Sequence, residues 1–231
     1  IKNSVYINFK GNIENNSAFK NGYIYIQDLA SQIAAATLSP LKGTCVLDAC
    51  AAPGGKSFLM AQLMENTGKI FSCDVYEHKL GLIKDTADRL GIQNINTSLR
   101  DSSLFFNEWE ENFDFVLADV PCSGLGIIRK KPDIRYKDDS DVNQLPELQL
   151  KILRNVSRYL KKGGTLLYST CTILPQENEH VVDLFLQQNK EYEEVDDHLN
   201  IPHIKNKYGI TLLPHISGTD GFYMCKLRRK I

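Results

Sequence analysis

The stretch FDFVLADVPCSG, residues 113–124, decides how this chain folds. It is a short apolar and aromatic run that ends in an acidic residue and a turn sequence, which is typical of a buried strand leading into a loop. A second stretch of this kind, GGTLLYSTCT at residues 163–172, follows a segment with helical periodicity. A strand, a helix and a strand in this order predict two parallel strands of one sheet, whose carboxyl ends meet at the same edge.

Each of these strands ends beside a cysteine, Cys122 in the first stretch and Cys171 in the second. Because ligands bind at the carboxyl edge of an open α/β sheet, we expect the two thiols to face one substrate. A cysteine at a strand end more often serves packing than catalysis, but these two stand in polar, turn-forming contexts. The others are interpreted as small packing residues: Cys45, Cys50, Cys73 and Cys225.

The composition is that of a globular α/β protein, with 231 residues of which 42% are hydrophobic. This length suits one sizeable core. We predict a catalytic domain over residues 23–231 and a short N-terminal extension over residues 1–22. The chain begins with Ile1 rather than Met, which suggests that it was cut from something longer or that its first residues are missing.

The net charge of −1 gives no global attraction to nucleic acid, so any nucleic-acid binding has to be local or supplied by another module. No run reaches the roughly 18 apolar residues of a membrane span, and the chain does not start with the apolar segment of a signal peptide. The six cysteines form no C-x-x-C pair and no cluster with zinc-ligand spacing. We therefore expect a soluble, cytoplasmic protein without a metal or a membrane partner.

Alternating strand and helix patterns predict a mostly parallel sheet with a closing antiparallel pair. Strands are predicted at residues 44–49, 69–73, 95–99, 113–118, 163–167, 192–195 and 221–227. Helices are predicted over 27–38 with Asp28 as N-cap, over 58–64, over 80–90, from Leu145-Pro146 to a C-cap at 161–164, and from Pro175 onward. Residues 1–22 fit a hairpin or irregular structure, and a polar loop is predicted to run to about residue 213.

The loop after the strand at 44–49 consists mostly of small residues and leads into a helix. Its residues are Cys50, Ala51, Ala52, Pro53, Gly54, Gly55, Lys56 and Ser57. Small residues let a ligand approach backbone N–H groups and the positive end of the helix. A P-loop is excluded because Cys50 occupies its first glycine position, and adjacent glycines do not match G-x-G-x-x-G.

Carboxylates follow the next three strands: Asp74, Asp101 and Asp119. Asp74 lies twenty residues after Gly54, which is the spacing at which α/β nucleoside sites place an acid on ribose hydroxyls. Asp101 is placed to accept a hydrogen bond from an adenine amine. A single Asp after a strand is usually a turn residue or an N-cap, but three of them behind a small-residue loop favour a nucleoside site.

One conspicuous basic stretch, residues 129–137, follows Cys122, and its cations are Arg129, Lys130, Lys131, Arg135 and Lys137. A charge run is most often a solvated loop. Because this one adjoins the predicted site and carries an aromatic residue, we expect Arg129, Lys130, Lys131 and Arg135 to position phosphates. The acidic run at residues 138–141 narrows the positive region.

Several motifs in the same order resemble the RsmB/Sun family of S-adenosylmethionine-dependent RNA cytosine-5 methyltransferases. They are Gln27–Ser31, Cys50–Lys56, Asp119–Gly124, Arg129–Arg135, Ser169–Thr172, Pro175–Asn178 and Asp220–Tyr223. The resemblance covers residues from about 23 to the end. Thr172 stands where Ser is more usual, and Tyr223 where a second Phe is common.

The resemblance implies a Rossmann-like class I methyltransferase, with a mostly parallel seven-stranded sheet, an antiparallel closing strand and helices on both faces. It implies S-adenosylmethionine as cofactor, held by residues 50–56, Asp74, Asp101 and Asp119. It also implies methylation of RNA, with small-subunit ribosomal RNA as the leading substrate. We expect the enzyme to be a monomer.

Cytosine carbon 5 is a poor nucleophile, so a nucleophile must first add to carbon 6, and a thiol suits this step because it can also leave again. The resemblance assigns the attack to Cys171 and help with release to Cys122. Residue chemistry alone leaves that choice open. A nearby positive charge, with Lys56 as the candidate, is expected to favour the thiolate. Asp119 is expected to contact ring nitrogen 3 or the exocyclic amine of the base.

Three other functions compete with this interpretation. The substrate could be tRNA, or the chain could be a non-catalytic RNA-binding assembly module that retains the fold. The presence of both thiols and of the three acids argues against loss of chemistry. Methylation of an amino group is disfavoured, because Cys122 stands where such enzymes place an aromatic residue after Asn/Asp-Pro-Pro.

Overall fold

The computed structural model describes residues 4–7, 9–136, 139–196 and 199–231. These residues form one mixed sheet of nine strands in the order β3-β2-β1-β4-β5-β9-β8-β7, with β6 also paired to β9. The strands are β1 (Cys45–Asp48), β2 (Lys69–Asp74), β3 (Ile95–Leu99), β4 (Phe113–Asp119), β5 (Leu160–Thr170), β6 (Tyr192–Glu194), β7 (Ile204–Lys205), β8 (Ile210–Leu212) and β9 (Phe222–Arg229).

Strands β1 to β5 are parallel, whereas β9 pairs antiparallel with β5, β6 and β8. The predicted mostly parallel sheet with an antiparallel closing strand is therefore confirmed. The count of seven strands is wrong. The two additional strands, β7 and β8, lie in the segment predicted as a polar loop, because two and three residues are too short to show an alternating pattern.

Helices cover both faces of the sheet, as expected. They are α1 (Ser17–Lys20), α2 (Leu29–Leu38), α3 (Gly55–Leu63), α4 (Glu77–Arg89), α5 (Asp139–Arg158), α6 (Glu179–Gln188) and α7 (Pro214–Ser217). Neighbouring strand residues belong to opposite cores: Val116 packs with α5 and α6, and Leu117 packs with α2 and α3. Burial on both faces explains why the central strands are continuous apolar runs.

Two predicted boundaries around α5 are wrong. The helix begins at Asp139 and contains Pro146, which was expected at its start. A proline removes only one backbone donor, and here the helix continues through it. At the other end, residues 161–164 belong to β5 and do not cap the helix. The pairing of β5 with β4 shifts register there, and Gly163 has φ +77°, so the two glycines form a bulge.

The N-terminal extension is irregular, with a 3₁₀ turn at Ile13–Asn15 followed by α1. No strand forms among its described residues, so a hairpin is not supported there, and residue 8 lies outside them. Arg89 at the end of α4 anchors the extension, since its Nη1 donates to the carbonyls of Phe19 at 2.6 Å and Ile24 at 3.3 Å. Within the described ranges, no helix is both long and apolar enough to cross a membrane.

Candidate active site

The strand order arranges the predicted site residues along one edge of the sheet. At the carboxyl ends of β3, β2, β1, β4 and β5 lie, in that order, Asp101, Asp74, the 50–56 loop, Asp119 and Cys171. Side chains that are distant in sequence therefore form one row. Its β3-to-β1 part is shaped by carboxylates and small residues, and its β4-to-β5 part carries the thiols.

The two thiols meet at this edge, as the sequence predicted. Asp119 pairs with Ser169 in the ladder between β4 and β5, so the loops that follow these strands leave the sheet side by side. The sulfur atoms of Cys122 and Cys171 are 3.2 Å apart, and both residues are partly accessible. Neither is in a disulfide, so a single pyrimidine could contact both.

The environment makes the two thiols unequal. The two thiols share a hydrogen bond in which either sulfur can donate, and this bond, together with burial, raises the pKa of Cys122 well above its ordinary value. The same bond lowers the pKa of Cys171 against the opposing effects of burial and of Asp119, and Lys56 also lowers it. Cys171 is therefore the more readily deprotonated of the two thiols, and Cys122 is the one that keeps its proton more strongly.

Lys56 and Asp119 form an ion pair beside the sulfur atoms. Lys56 Nζ is 2.6 Å from Asp119 Oδ2, and the hydroxyl of Ser169 donates to Asp119 Oδ1 at 2.7 Å. Burial lowers the pKa of Lys56, but the Asp119 carboxylate outweighs it, so the net shift is upward and the ammonium stays charged. The pair joins the small-residue loop to the end of β4 and holds a positive charge close to Cys171.

The loop after β1 packs closely against its own chain at both of its glycines. Gly54 has φ +102°, and a Cβ there would lie 2.5 Å from the ring of Phe58. A Cβ on Gly55 would lie 3.1 Å from Gln27 Nε2, which is buried and has no hydrogen-bond partner among the described residues. The loop leads directly into the N-terminus of α3. An unpartnered donor beside bare backbone fits the carboxylate of an amino-acid-like cofactor.

The two acids beyond the loop differ in setting. Asp74 is 8% exposed at the end of β2, where its Oδ1 accepts from the Tyr76 backbone and lies 3.6 Å from Lys79 Nζ. Asp101 is exposed, and its Oδ1 accepts from the Ser103 backbone in the turn after β3. Both stand at the edge of the sheet where the sequence placed them.

The basic stretch is partly neutralised within the chain. Asp220, only 3% exposed at its side chain, contacts Arg129 at 3.0 Å and Lys130 at 2.6 Å, and Lys130 also reaches Asp28 at 2.5 Å. Lys131 and Arg135 are exposed. Lys137 and residue 138 lie outside the described residues, and so do the side chains of residues 139–141.

Several polar residues of the site escaped the sequence analysis. Asp48 is fully buried, accepts from Ser57 Oγ at 2.6 Å, and burial raises its pKa to about 7.

Glu177 and Asn178 are buried beneath the thiol loops and contact Ser123, Thr170 and Thr172. The motif Pro175–Asn178 is part of the family resemblance, but its position in the sequence does not indicate that it contacts the cysteine loops. Among the described residues, no group of three or more His, Cys, Asp or Glu side chains could hold a metal ion.

A sheet of this order, with a small-residue loop after β1 and acids after β2 and β3, is the S-adenosylmethionine-binding fold of class I methyltransferases. More narrowly, the chain belongs to the family described as 16S rRNA methyltransferase RsmB/F, whose model matches residues 35–228.

Relatives and solved structures agree with this family. "Probable ribosomal RNA small subunit methyltransferase B" of Bacillus subtilis strain 168 is 43% identical over 228 residues, which are 96% of this chain and 51% of that protein. The crystal structure of PH0851 superposes with a TM-score of 0.91 at 34% identity, over 96% of this chain and 50% of that one. NSun6 from Pyrococcus horikoshii with SFG, an S-adenosylmethionine analogue, has a TM-score of 0.85 at 29% identity, over 95% and 56%. The chain thus spans about half the length of the curated relatives it matches.

Proposed function

We propose that this chain methylates carbon 5 of a cytosine in RNA, with S-adenosylmethionine as the methyl donor and small-subunit ribosomal RNA as the substrate. The names of the relatives support the RNA class. The observation that carries the cytosine-5 chemistry is the 3.2 Å approach of the Cys122 and Cys171 sulfurs beside the Lys56–Asp119 pair. Methylation at an amino group would need no second thiol.

The cofactor site in this proposal runs along the edge from β4 to β3. The backbone of residues 50–56 and the side chains of Lys56 and Asp119 hold the methionine part, while Asp74 and Asp101 take the ribose and adenine. S-Adenosylmethionine supplies an electrophilic methyl group on its sulfonium. The protein's part is to place this methyl group beside the two sulfurs and to exclude water from it.

Attack on the base begins at Cys171. Its thiolate adds to carbon 6, forming a C–S bond, and the electron pair of the 5,6 double bond makes carbon 5 nucleophilic. The lowered pKa of Cys171 supports this role, because it raises the fraction of thiolate. The Asp119 carboxylate is held by Lys56 and Ser169. In this proposal it lies between the cofactor and the base and contacts ring nitrogen 3 or the exocyclic amine.

Release requires a base for the proton on carbon 5. Once Cys171 is bonded to carbon 6, it no longer accepts the hydrogen bond from Cys122, and the Cys122 proton leaves to solvent. The Cys122 thiolate then takes the proton from carbon 5. The electrons of that C–H bond restore the 5,6 double bond, and Cys171 leaves carbon 6 as a thiolate. Each thiol has thus returned to its starting protonation state.

RNA contact in this proposal falls to the basic stretch after Cys122. The exposed Lys131 and Arg135, with Tyr136 exposed beside them, take phosphates and a base. Arg129 and Lys130 fasten the loop to Asp220 and present their remaining N–H groups. We further propose that residues 23–231 are the catalytic domain, with residues 1–22 as an extension docked on α4.

Trapping of the covalent intermediate tests the function. The intact chain, Cys122→Ala and Cys171→Ala are incubated with S-adenosylmethionine and transcribed small-subunit ribosomal RNA, and with a tRNA pool in parallel. Denaturing gels detect the protein–RNA adduct, and sequencing maps 5-methylcytosine. We expect Cys122→Ala to accumulate the adduct and Cys171→Ala to form none.

The result against the proposal is methylation that persists in both variants without any adduct. RNA binding without methylation by the intact chain would favour a non-catalytic assembly module. An adduct with tRNA alone would retain the chemistry but change the substrate.

A further inference from the structure

A short turn beneath the active site contacts both thiol loops at once. It consists of the 3₁₀ turn Pro175–Glu177 and Asn178, which precedes α6. Glu177 is 0% exposed and Asn178 is 3% exposed, so both polar side chains are inside the protein. The hydroxyl of Tyr168 donates to the Glu177 carbonyl at 2.6 Å and fixes the backbone of the turn to β5.

Glu177 holds the loop that carries Cys122. Its Oε2 accepts from the backbone N–H of Ser123 at 2.8 Å, directly after the cysteine. The same oxygen accepts from Gln149 Nε2 at 2.8 Å, and Gln149 Nε2 also donates to the Pro121 carbonyl at 2.9 Å, directly before the cysteine. The residues on both sides of Cys122 are therefore fastened to one carboxylate and its amide partner.

Asn178 holds the loop that carries Cys171. Its Oδ1 accepts from the Thr170 hydroxyl at 2.6 Å, and its Nδ2 donates to the Thr172 carbonyl at 3.1 Å. These contacts lie directly before and directly after the cysteine. Adjacent residues of one turn thus bracket two different thiols in the same manner.

The contacts around Cys122 and those around Cys171 are also linked to each other. The hydroxyls of Ser123 and Thr172 are 2.7 Å apart, and the Gly126 backbone donates to the Cys171 carbonyl at 3.0 Å. The two loops that carry the sulfurs are therefore joined by a closed set of hydrogen bonds whose base is the 177–178 turn. Stability alone explains this arrangement poorly, because a buried carboxylate carries a desolvation penalty that an apolar side chain would avoid.

We propose that Glu177 and Asn178 are positioning residues for the two thiols, Glu177 for Cys122 and Asn178 for Cys171. The inference deepens the proposed function, since it assigns one buried side chain to the release step and its neighbour to the attack step. Positioning and a purely structural role predict different results. If these residues position the thiols, substitution of Glu177 should reproduce the loss of Cys122, and substitution of Asn178 the loss of Cys171.

The first test needs no RNA. Iodoacetamide alkylation of Cys171 is followed by peptide mass spectrometry across a pH series. Because Cys122 donates to the Cys171 thiolate, Cys122→Ala should slow alkylation near neutral pH about tenfold. We expect Glu177→Ala to slow it to a similar extent, and Glu177→Ala added to Cys122→Ala to cause no further slowing, because both changes remove the same interaction.

The second test uses the RNA adduct. In the otherwise intact chain, Glu177→Ala should accumulate the adduct as Cys122→Ala does, because release fails. In the Cys122→Ala background, Asn178→Ala should slow adduct formation about tenfold, as expected for a displaced nucleophile held by two hydrogen bonds. Glu177→Gln keeps an acceptor for the Ser123 N–H and should restore release to within about threefold of the intact chain.

Gln176→Ala is the matched control, because Gln176 is an exposed member of the same turn and should leave both measurements unchanged. If Glu177→Ala fails to fold, Gln149→Ala replaces it, since it removes the contact to Pro121. Unchanged Cys171 alkylation in a folded Glu177→Ala protein would overturn the inference. So would further slowing in the double variant, which would indicate a merely structural role. Absence of any adduct in Cys122→Ala would instead refute the proposed function, while the alkylation series still decides the positioning.

Discussion

Asp48 provides the sharpest quantitative prediction from this structure. It is 1% exposed at the end of β1, and burial raises the pKa of its carboxyl from 3.8 to about 7, although Ser57 and Lys56 act in the opposite direction. Between these two values the folded chain keeps a proton on Asp48 that the unfolded chain has lost. The free energy of unfolding therefore falls as pH rises from about 4 to about 7, by about 1.4 kcal/mol per pH unit and on the order of 4 kcal/mol in total.

Asp48→Asn removes this proton binding and leaves an oxygen that accepts from Ser57. Urea denaturation of the intact chain and the variant, from pH 4.5 to pH 8, measures the difference in unfolding free energy. As pH rises across the series, the intact chain should lose about 3–4 kcal/mol of unfolding free energy relative to the variant. Asp114→Asn is the control, because the contribution of Asp114 to stability should stay constant between pH 4.5 and pH 8. The Lys161 ammonium outweighs burial and lowers the pKa of Asp114, so its contribution is present above the unfolded pKa and is lost on acidification. Parallel pH curves for the intact chain and Asp48→Asn would refute the reasoning.

Three further changes test other parts of the structure. Lys56→Met removes the positive charge that lowers the pKa of Cys171, so alkylation of that thiol near neutral pH should slow about fivefold, corresponding to about 1 kcal/mol; an unchanged pH profile of alkylation would exclude this role. Tyr159→Phe leaves without its partner a backbone N–H that donates to the Tyr159 hydroxyl at 2.8 Å, and should cost about 1–3 kcal/mol in urea denaturation. Gly126→Ala would place a Cβ 2.0 Å from the Gly221 carbonyl oxygen, so the melting temperature should fall by several degrees, and a wild-type value would contradict that contact.

The central sheet could be predicted because each strand carries its own signal. A strand buried on both faces is a short apolar run between turn residues, and residues 113–118 and 163–167 are such runs. Their observed bounds are Phe113–Asp119 and Leu160–Thr170. The extension of β5 at its start was missed because two lysines and two glycines resemble a helix terminus. Only the pairing of Leu160 with Phe113 shows that they form a bulge.

The edge of the sheet was harder to predict, since its strands gain their structure from their neighbours. Strand β7 consists of two exposed residues, and β8 is held by β9 on one side. Neither has enough residues for a period of two to be visible. In the same way, the start of α5 was placed at Pro146 because a proline usually marks the first turn, although the helix extends further toward the N-terminus.

Within the candidate site, the sequence predicted which residues meet but not how they divide the chemistry. That Cys122 and Cys171 share an edge follows from the topology of two parallel strands. Which thiol has the lower pKa depends on a hydrogen bond between the thiols and on a lysine in the first turn of α3. Such relations are set by contacts between segments. No spacing along the chain contains them.

The same limit applies to the buried turn at Glu177 and Asn178. A two-step reaction needs its nucleophile and its base at one carbon–carbon bond, and two adjacent strands place their chain ends only to within about 5 Å of one another. The two sulfurs are 3.2 Å apart, and both cysteines lie in loops after the strands. The strands do not fix the conformations of these loops. A single turn that contacts both loops supplies the missing constraint, because a shift of one loop backbone relative to the other breaks one of its hydrogen bonds. The relative placement of the two thiols therefore depends on buried polar side chains. Substitution of Glu177 or Asn178 should leave the fold intact and affect the release step and the attack step separately.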